Sequence, residues 1–206
     1  MKEVVSGVLR FREEIFPKYK GLFDRLADHQ SPDVLFITCA DSRIDPNLIT
    51  QSPPGKLFIC RNAGNIVPPH SSATGAMTAS IEYAVAVLKI EHIIICGHTD
   101  CGAMRGALDL ASLENLPHVE QWLGNCRSAM EVVKARHDEL CADHLQEITE
   151  ENVRQQLQHL RTHPAVAAAM AVGKMNLYGW IYNIETGEVL QADADGENFC
   201  RIKDLP

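Results

Sequence analysis

HIIICGHTDCG, residues 92–102, decides the fold. Its first five residues, His92 to Cys96, form a short apolar run dominated by β-branched isoleucine. Side chains along a strand alternate between two faces. A run that is apolar on both faces therefore suits a strand covered on both sides, as in a parallel sheet packed between helices. Residues 34–38, VLFIT, have the same character, and residues 56–60, KLFIC, are a third strand candidate.

Helical periodicity fills the intervals. Residues 3–16 carry Val4, Val5, Val8, Leu9, Phe11, Ile15 and Phe16, most of them at helical spacing with charged residues between. This predicts an amphipathic helix that Pro17 ends. A short helical stretch follows at Leu22–Leu26, then an alanine-rich helix over Thr74–Leu88 with Ile81, Ala84, Val85 and Leu88 on one face. Trp122–Leu140 and Thr149–Leu160 read as two more, with Thr149 as a helix start. His163-Pro164 opens another, with Gly173 just past its end. The tail changes to period two, Leu177–Ile184 and Glu188–Gln191 around Thr186-Gly187, the pattern of a hairpin. Strands alternating with helices and then a hairpin predict an α/β fold. It has a mostly parallel central β-sheet flanked by helices, an N-terminal helical arm and an antiparallel edge strand. No Pro/Gly/Ser-rich linker divides the chain, so residues 1–206 are expected to form one domain, with an arm over 1–30 and a core over 31–206.

Composition excludes several classes. The 206 residues are 46% hydrophobic and 22% charged, which fits neither disorder nor a fibrous repeat. A net charge of −8 and the absence of a Lys/Arg run give no footprint for nucleic acid. No window reaches the roughly 18–20 apolar residues that cross a bilayer. The N-terminus lacks the apolar stretch of a signal peptide, so a cytoplasmic location is expected. Seven cysteines, an odd number, argue against a disulfide framework there. No nucleotide-binding glycine motif is present.

Two strands end in reactive side chains. The first runs into Cys39, Asp41 and Arg43; the third runs into His98, Asp100 and Cys101. In open α/β sheets ligands gather beyond the carboxyl ends of the strands. His98-x-x-Cys101 is a tight two-donor unit, and Cys39 at a neighbouring strand end supplies a third donor. Two thiolates and one imidazole make a catalytic zinc set with one position left open. A plain surface ion pair for Asp41 and Arg43, buried free thiols and a thiol redox site are the competing readings of these residues.

Cys39-x-Asp41-Ser-Arg43 followed by Gly97-His98-x-x-Cys101-Gly102 resembles the β-class carbonic anhydrases, in particular the bacterial members. Gln30, the segment Arg61 to Asn65, the segment Ser80 to Ala84 and Gly179-Trp180 are also similar to family landmarks. The resemblance implies a Zn2+ ion, one per subunit, on Cys39, His98 and Cys101. It implies reversible hydration of CO2 to bicarbonate and a proton, with the nucleophile oriented by Asp41 paired to Arg43. Gln30 and the Gly102 backbone N–H would bind substrate. A homodimer or tetramer, with the N-terminal helix reaching a second subunit, is implied as well. Hydrolysis of a CO2 analogue (CS2 or COS) on the same scaffold, or an inactive zinc-stabilised binding protein, are the alternatives. Some bacterial members carry Trp three residues before the first cysteine ligand, in a non-catalytic bicarbonate site. Phe36 stands there instead, without an indole donor, so an open zinc site is expected.

Overall fold

The strand expected over 92–96 runs two residues further, to His98, and that extension carries its last side chain into the site. The protein is described here from a computed structural model, which covers residues 1–71 and 74–202. The chain forms two compact units, Met1–Ser31 and Pro32–Pro206.

The first unit is helical: α1 (Lys2–Arg10), a π-helical segment over Phe11–Ile15, and α2 (Phe16–Leu26). Pro17 does not end the helix as expected. It lies in the first turn of α2, and the wider turn before it absorbs the missing donor. The Phe16 N–H bonds the Phe11 carbonyl, five residues back, so the ladder has already slipped by one residue when the chain reaches Pro17. The rings of Phe11, Phe16 and Phe23 cluster, the last two stacked at 5.2 Å. Leu22–Leu26 is the end of α2, not a separate helix.

The second unit is built on six strands: β1 (Val34–Cys39), β2 (Leu57–Asn62), β3 (His92–His98), β4 (Asn176–Tyr182), β5 (Val189–Ala192) and β6 (Phe199–Arg201). Their order is β2-β1-β3-β4-β5-β6. The first four are parallel, and β5 and β6 join antiparallel. The chain leaves β1 for β2 on one side, then crosses to β3 on the other. Directions diverge between β1 and β3, and a crevice opens at their carboxyl ends. The register pairs Thr38 with Cys96, so Cys39 and His98 emerge at adjacent strand ends.

Burial explains the continuous apolar runs. Leu35, Ile37, Ile93 and Ile95 join one core with Ile81, Val85, Val153 and Val166. Phe36, Ile94 and Cys96 face the other way, where Trp180 meets the Phe36 ring edge-on at 5.9 Å. The helices differ in detail from their periodicity. The alanine-rich one is α4 (Ala76–Glu82) followed by a π-helical turn over Tyr83–Val87. After α3 (Pro46–Thr50) and α5 (Gly102–Leu108), the stretch expected over 122–140 is α6 (Pro117–Leu123) and α7 (Arg127–His137), divided at Gly124 by a 3₁₀ turn. Proline at the first turn of α6 starts it earlier than the apolar pattern suggests.

Thr149 does not start a helix. It lies fully buried inside α8 (Leu145–Arg161), and its hydroxyl donates to the Leu145 carbonyl one turn back. That bond satisfies the polar group without a cap, which is why its sequence position misleads. α9 (Pro164–Ala171) begins after His163 as expected, and Gly173 past its end has φ 69°.

α8 comes close to the sheet because two strand residues lack side chains. A Cβ at Gly179 would stand 2.9 Å from Val153 and 3.0 Å from Leu157; one at Gly97 would stand 2.9 Å from Val153. Gly179→Val is therefore expected to destabilise the protein by about 1–3 kcal/mol through overpacking. Urea denaturation should show a lower midpoint with an unchanged slope; an unchanged midpoint would mean that α8 has room to move.

Candidate metal centre

The crevice between β1 and β3 collects three of the residues singled out in the sequence. The donor atoms of Cys39, His98 and Cys101 all lie within 4.8 Å of one another, and all three residues are buried. Among the described residues no other group of three such side chains comes together this way.

Each donor is held by its element. Cys39 is the last residue of β1, Cys101 precedes the first turn of α5, and His98 ends β3. His98 Nδ1 lies 2.9 Å from the Thr99 carbonyl, which fixes that nitrogen as the N–H and leaves Nε2 as a lone pair. This Nε2 is buried with no partner. A buried polar atom without a partner is costly, and here it faces two thiols, so the set fits a divalent metal ion. The two thiols also interact with each other. The hydrogen bond between them lowers the Cys39 thiol and raises that of Cys101. A divalent ion held by Cys39, His98 and Cys101 would require both thiols to be deprotonated.

The second feature legible in the sequence is the acid–base pair. Asp41 Oδ1 accepts from the Arg43 backbone N–H at 2.9 Å and from Nε at 3.0 Å, while Oδ2 accepts from Nη2 at 2.8 Å. This two-pronged pairing holds the Asp41 carboxyl well below the usual carboxylate range. The same Oδ2 lies 3.9 Å from His98 Nε2. Asp41 is thus ionised, oriented and beside the donor set. Its side chain is only 16% exposed, so the pair is not a plain surface bridge. Directly after Arg43, Asp45 caps α3 by accepting from the Leu48 N–H, and Pro46 occupies the first helical turn.

Other groups at the site had no role assigned from the sequence, although Arg61 and Gly64 lie in the segment similar to a family landmark. The Gly64 N–H donates to Cys39 Sγ at 3.3 Å. Gly64 has φ 79°, and a Cβ there would meet Met104 at 3.0 Å, so only glycine brings this N–H to the sulfur without strain. Its carbonyl accepts from Asn152 of α8 at 3.0 Å. Asn152 in turn accepts from Gln156, whose own oxygen takes the Val67 N–H at 2.8 Å. Asn152 and Gln156 are fully buried polar residues one turn apart on the packed face of α8, and that placement is the signal that could have marked them. Arg61 donates to the carbonyls of Cys39 and Asp41, at 3.0 and 2.6 Å, and so clamps the turn that carries both.

Gly102 begins α5 beside Cys101. Gln30 lies in the first unit, one residue before its end, and is exposed. Asp100 between the two motif donors is more than a turn residue, since both Arg43 and Arg105 pair with it.

Comparison with known proteins agrees with this arrangement. The family model described as carbonic anhydrase matches residues 34–189. A carbonic anhydrase of Synechococcus elongatus is 45% identical over 208 residues, covering 100% of this chain and 76% of that one. The solved structure of the β-carbonic anhydrase CcaA superposes with a TM-score of 0.94 at 44% identity, covering 98% of each chain. One of the tetrameric β-carbonic anhydrases of Sordaria macrospora superposes with a TM-score of 0.82 at 28% identity, over 94% of this chain and 96% of that one. The sheet order, the strand-end donors and these similarities together place the chain in the β class of the carbonic anhydrase family.

Proposed function

We propose that the chain catalyses the zinc-dependent reversible hydration of CO2 to bicarbonate and a proton, with Asp41 and Arg43 orienting the nucleophile. The observation that carries this is the position of Asp41 Oδ2, 3.9 Å from the unpartnered Nε2 of His98. Cys39, His98 and Cys101 would hold one zinc ion per subunit; when bound, it supplies the Lewis acidity that brings a water proton within reach of neutral pH.

The protein groups do the rest. Asp41, kept ionised by Arg43, can only accept a hydrogen bond. It therefore takes the proton side of the attacking oxygen and leaves the lone pair aimed at CO2. Arg43 prevents Asp41 from rotating, since both carboxylate oxygens are engaged by its fork. Gly64 stabilises charge on Cys39 through its N–H. Gln30 and the Gly102 N–H, assigned from the resemblance, would bind oxygens of CO2 or bicarbonate.

The first unit supports assembly into a homodimer or tetramer. None of its helical residues is buried, and Val4, Val5, Val8, Leu9 and Phe11 are exposed. A contiguous apolar helix face of this kind suits a second copy of the chain. Among the described residues no helix is long and apolar enough to cross a membrane, and a cytoplasmic location is part of the proposal.

The test pairs metal analysis with stopped-flow CO2 hydration on the purified protein. The expected result is about one zinc per chain and hydration far above the buffer rate. Zinc without turnover anywhere between about pH 6 and 9 would overturn CO2 as the substrate.

A further inference from the structure

Arg43 does not serve Asp41 alone. Its Nη1 donates to Asp100 Oδ2 at 3.2 Å, and its Nη2 donates to the Asp100 carbonyl at 3.1 Å. Asp100 stands between His98 and Cys101 with φ 55°, a conformation that aspartate and asparagine tolerate better than most residues. Its other carboxylate oxygen accepts from Arg105 of α5. Four charges of alternating sign, Asp41, Arg43, Asp100 and Arg105, therefore run from the end of β1 into α5.

Stability alone does not account for this arrangement. Asp100 and Arg105 are both more than half exposed, and exposed pairs contribute about 0–1 kcal/mol at most. Geometry accounts for it better. Arg43 is itself 44% exposed, and a long side chain held at one end of its fork retains freedom at the other. Asp100 holds the Nη1 end. A second carboxylate on one guanidinium would by itself weaken the hold on Asp41, and Arg105 offsets that negative charge. Arg43 thereby ties the turn that carries Cys39 to the turn that carries His98 and Cys101.

We propose that Asp100 and Arg105 are positioning residues for the Asp41–Arg43 pair, and this rests on the hydration function proposed above. Neither touches the reacting atoms; both act by fixing the plane of the Arg43 guanidinium. Arg105→Ala, which leaves all three donors and the Arg105 backbone N–H bond to the Cys101 carbonyl in place, is expected to keep its zinc and its thermal midpoint while kcat falls roughly 10-fold, the size typical of groups supporting a metal site. Asp100→Asn should fall by a similar factor, and Arg105→Lys should recover part of the loss.

The decisive measurement is a double-mutant cycle. In an Arg43→Ala background, Arg105→Ala should have no further effect on kcat, because there is no guanidinium left to position. A second readout is independent of turnover. The Arg43 Nε–H resonance should exchange slowly with solvent in the parent protein and rapidly in Arg105→Ala. Full kcat in Arg105→Ala, or an equal loss with and without Arg43, would overturn the proposal. An inactive parent would count against CO2 hydration instead, while the Nε–H exchange would still decide whether Arg105 positions Arg43.

Discussion

Cys101→Ser is expected to abolish both zinc retention and CO2 hydration. Structural zinc sites with four protein ligands bind the ion with roughly 10–16 kcal/mol, or about 2.5–4 kcal/mol per ligand. Loss of one thiolate should then weaken binding by about 10²–10³-fold. After dialysis against a chelator the variant should keep almost no zinc while its far-ultraviolet circular dichroism matches the parent. Full zinc content with full activity would remove Cys101 from the ligand set.

Asp41→Ala is the second large effect, and it should separate chemistry from metal binding. The variant should keep its zinc, since Asp41 lies outside the group formed by the three donors. Its kcat/KM should fall by about 10²–10³-fold, as when a positioned acceptor in the transition state is removed. The pH dependence follows from the direction of the Asp41 shift. Arg43 depresses the folded-state value, so the stabilisation of the ionised pair is fully present above the ordinary carboxylate range. It is lost only as the pH falls through the depressed value. Between about pH 5 and 9 Asp41 stays charged, and no titration of the parent activity in that window should vanish in Asp41→Asn. In Arg43→Ala the carboxyl should return toward about 4, adding an acid limb that the parent lacks. An acid limb unchanged by Arg43→Ala would show that something other than Arg43 keeps Asp41 ionised. Arg43→Lys should rescue little, because a single ammonium cannot reproduce the fork to both oxygens.

The strands and the three donors were legible in the sequence for a local reason. Val34 to Thr38 and His92 to Cys96 are apolar on both faces, and only a strand between two layers can bury both. Cys39, His98 and Cys101 follow those runs directly, so locating the strands located the donors. Asp41 and Arg43 pair two residues apart, a distance local enough to read without a fold. Pro17 and Thr149 misled for the complementary reason. Each has a standard meaning at a helix end, but a π-helical slip absorbs the first, and a hydroxyl bonded one turn back absorbs the second.

What the sequence by itself determined is the layered α/β architecture and the donor set at two strand ends, because hydrophobic period and adjacency along the chain are local properties. The tertiary structure alone decided which groups converge on those donors. The Gly64 N–H reaches Cys39 from 25 residues away, Asn152 holds Gly64 from 88 residues away, and Asp100 meets Arg43 from 57 residues away. The first and last of these contacts depend on the β2-β1-β3 order and the second on α8 settling against side-chain-free strand positions, and both are properties of long-range packing rather than of any single segment.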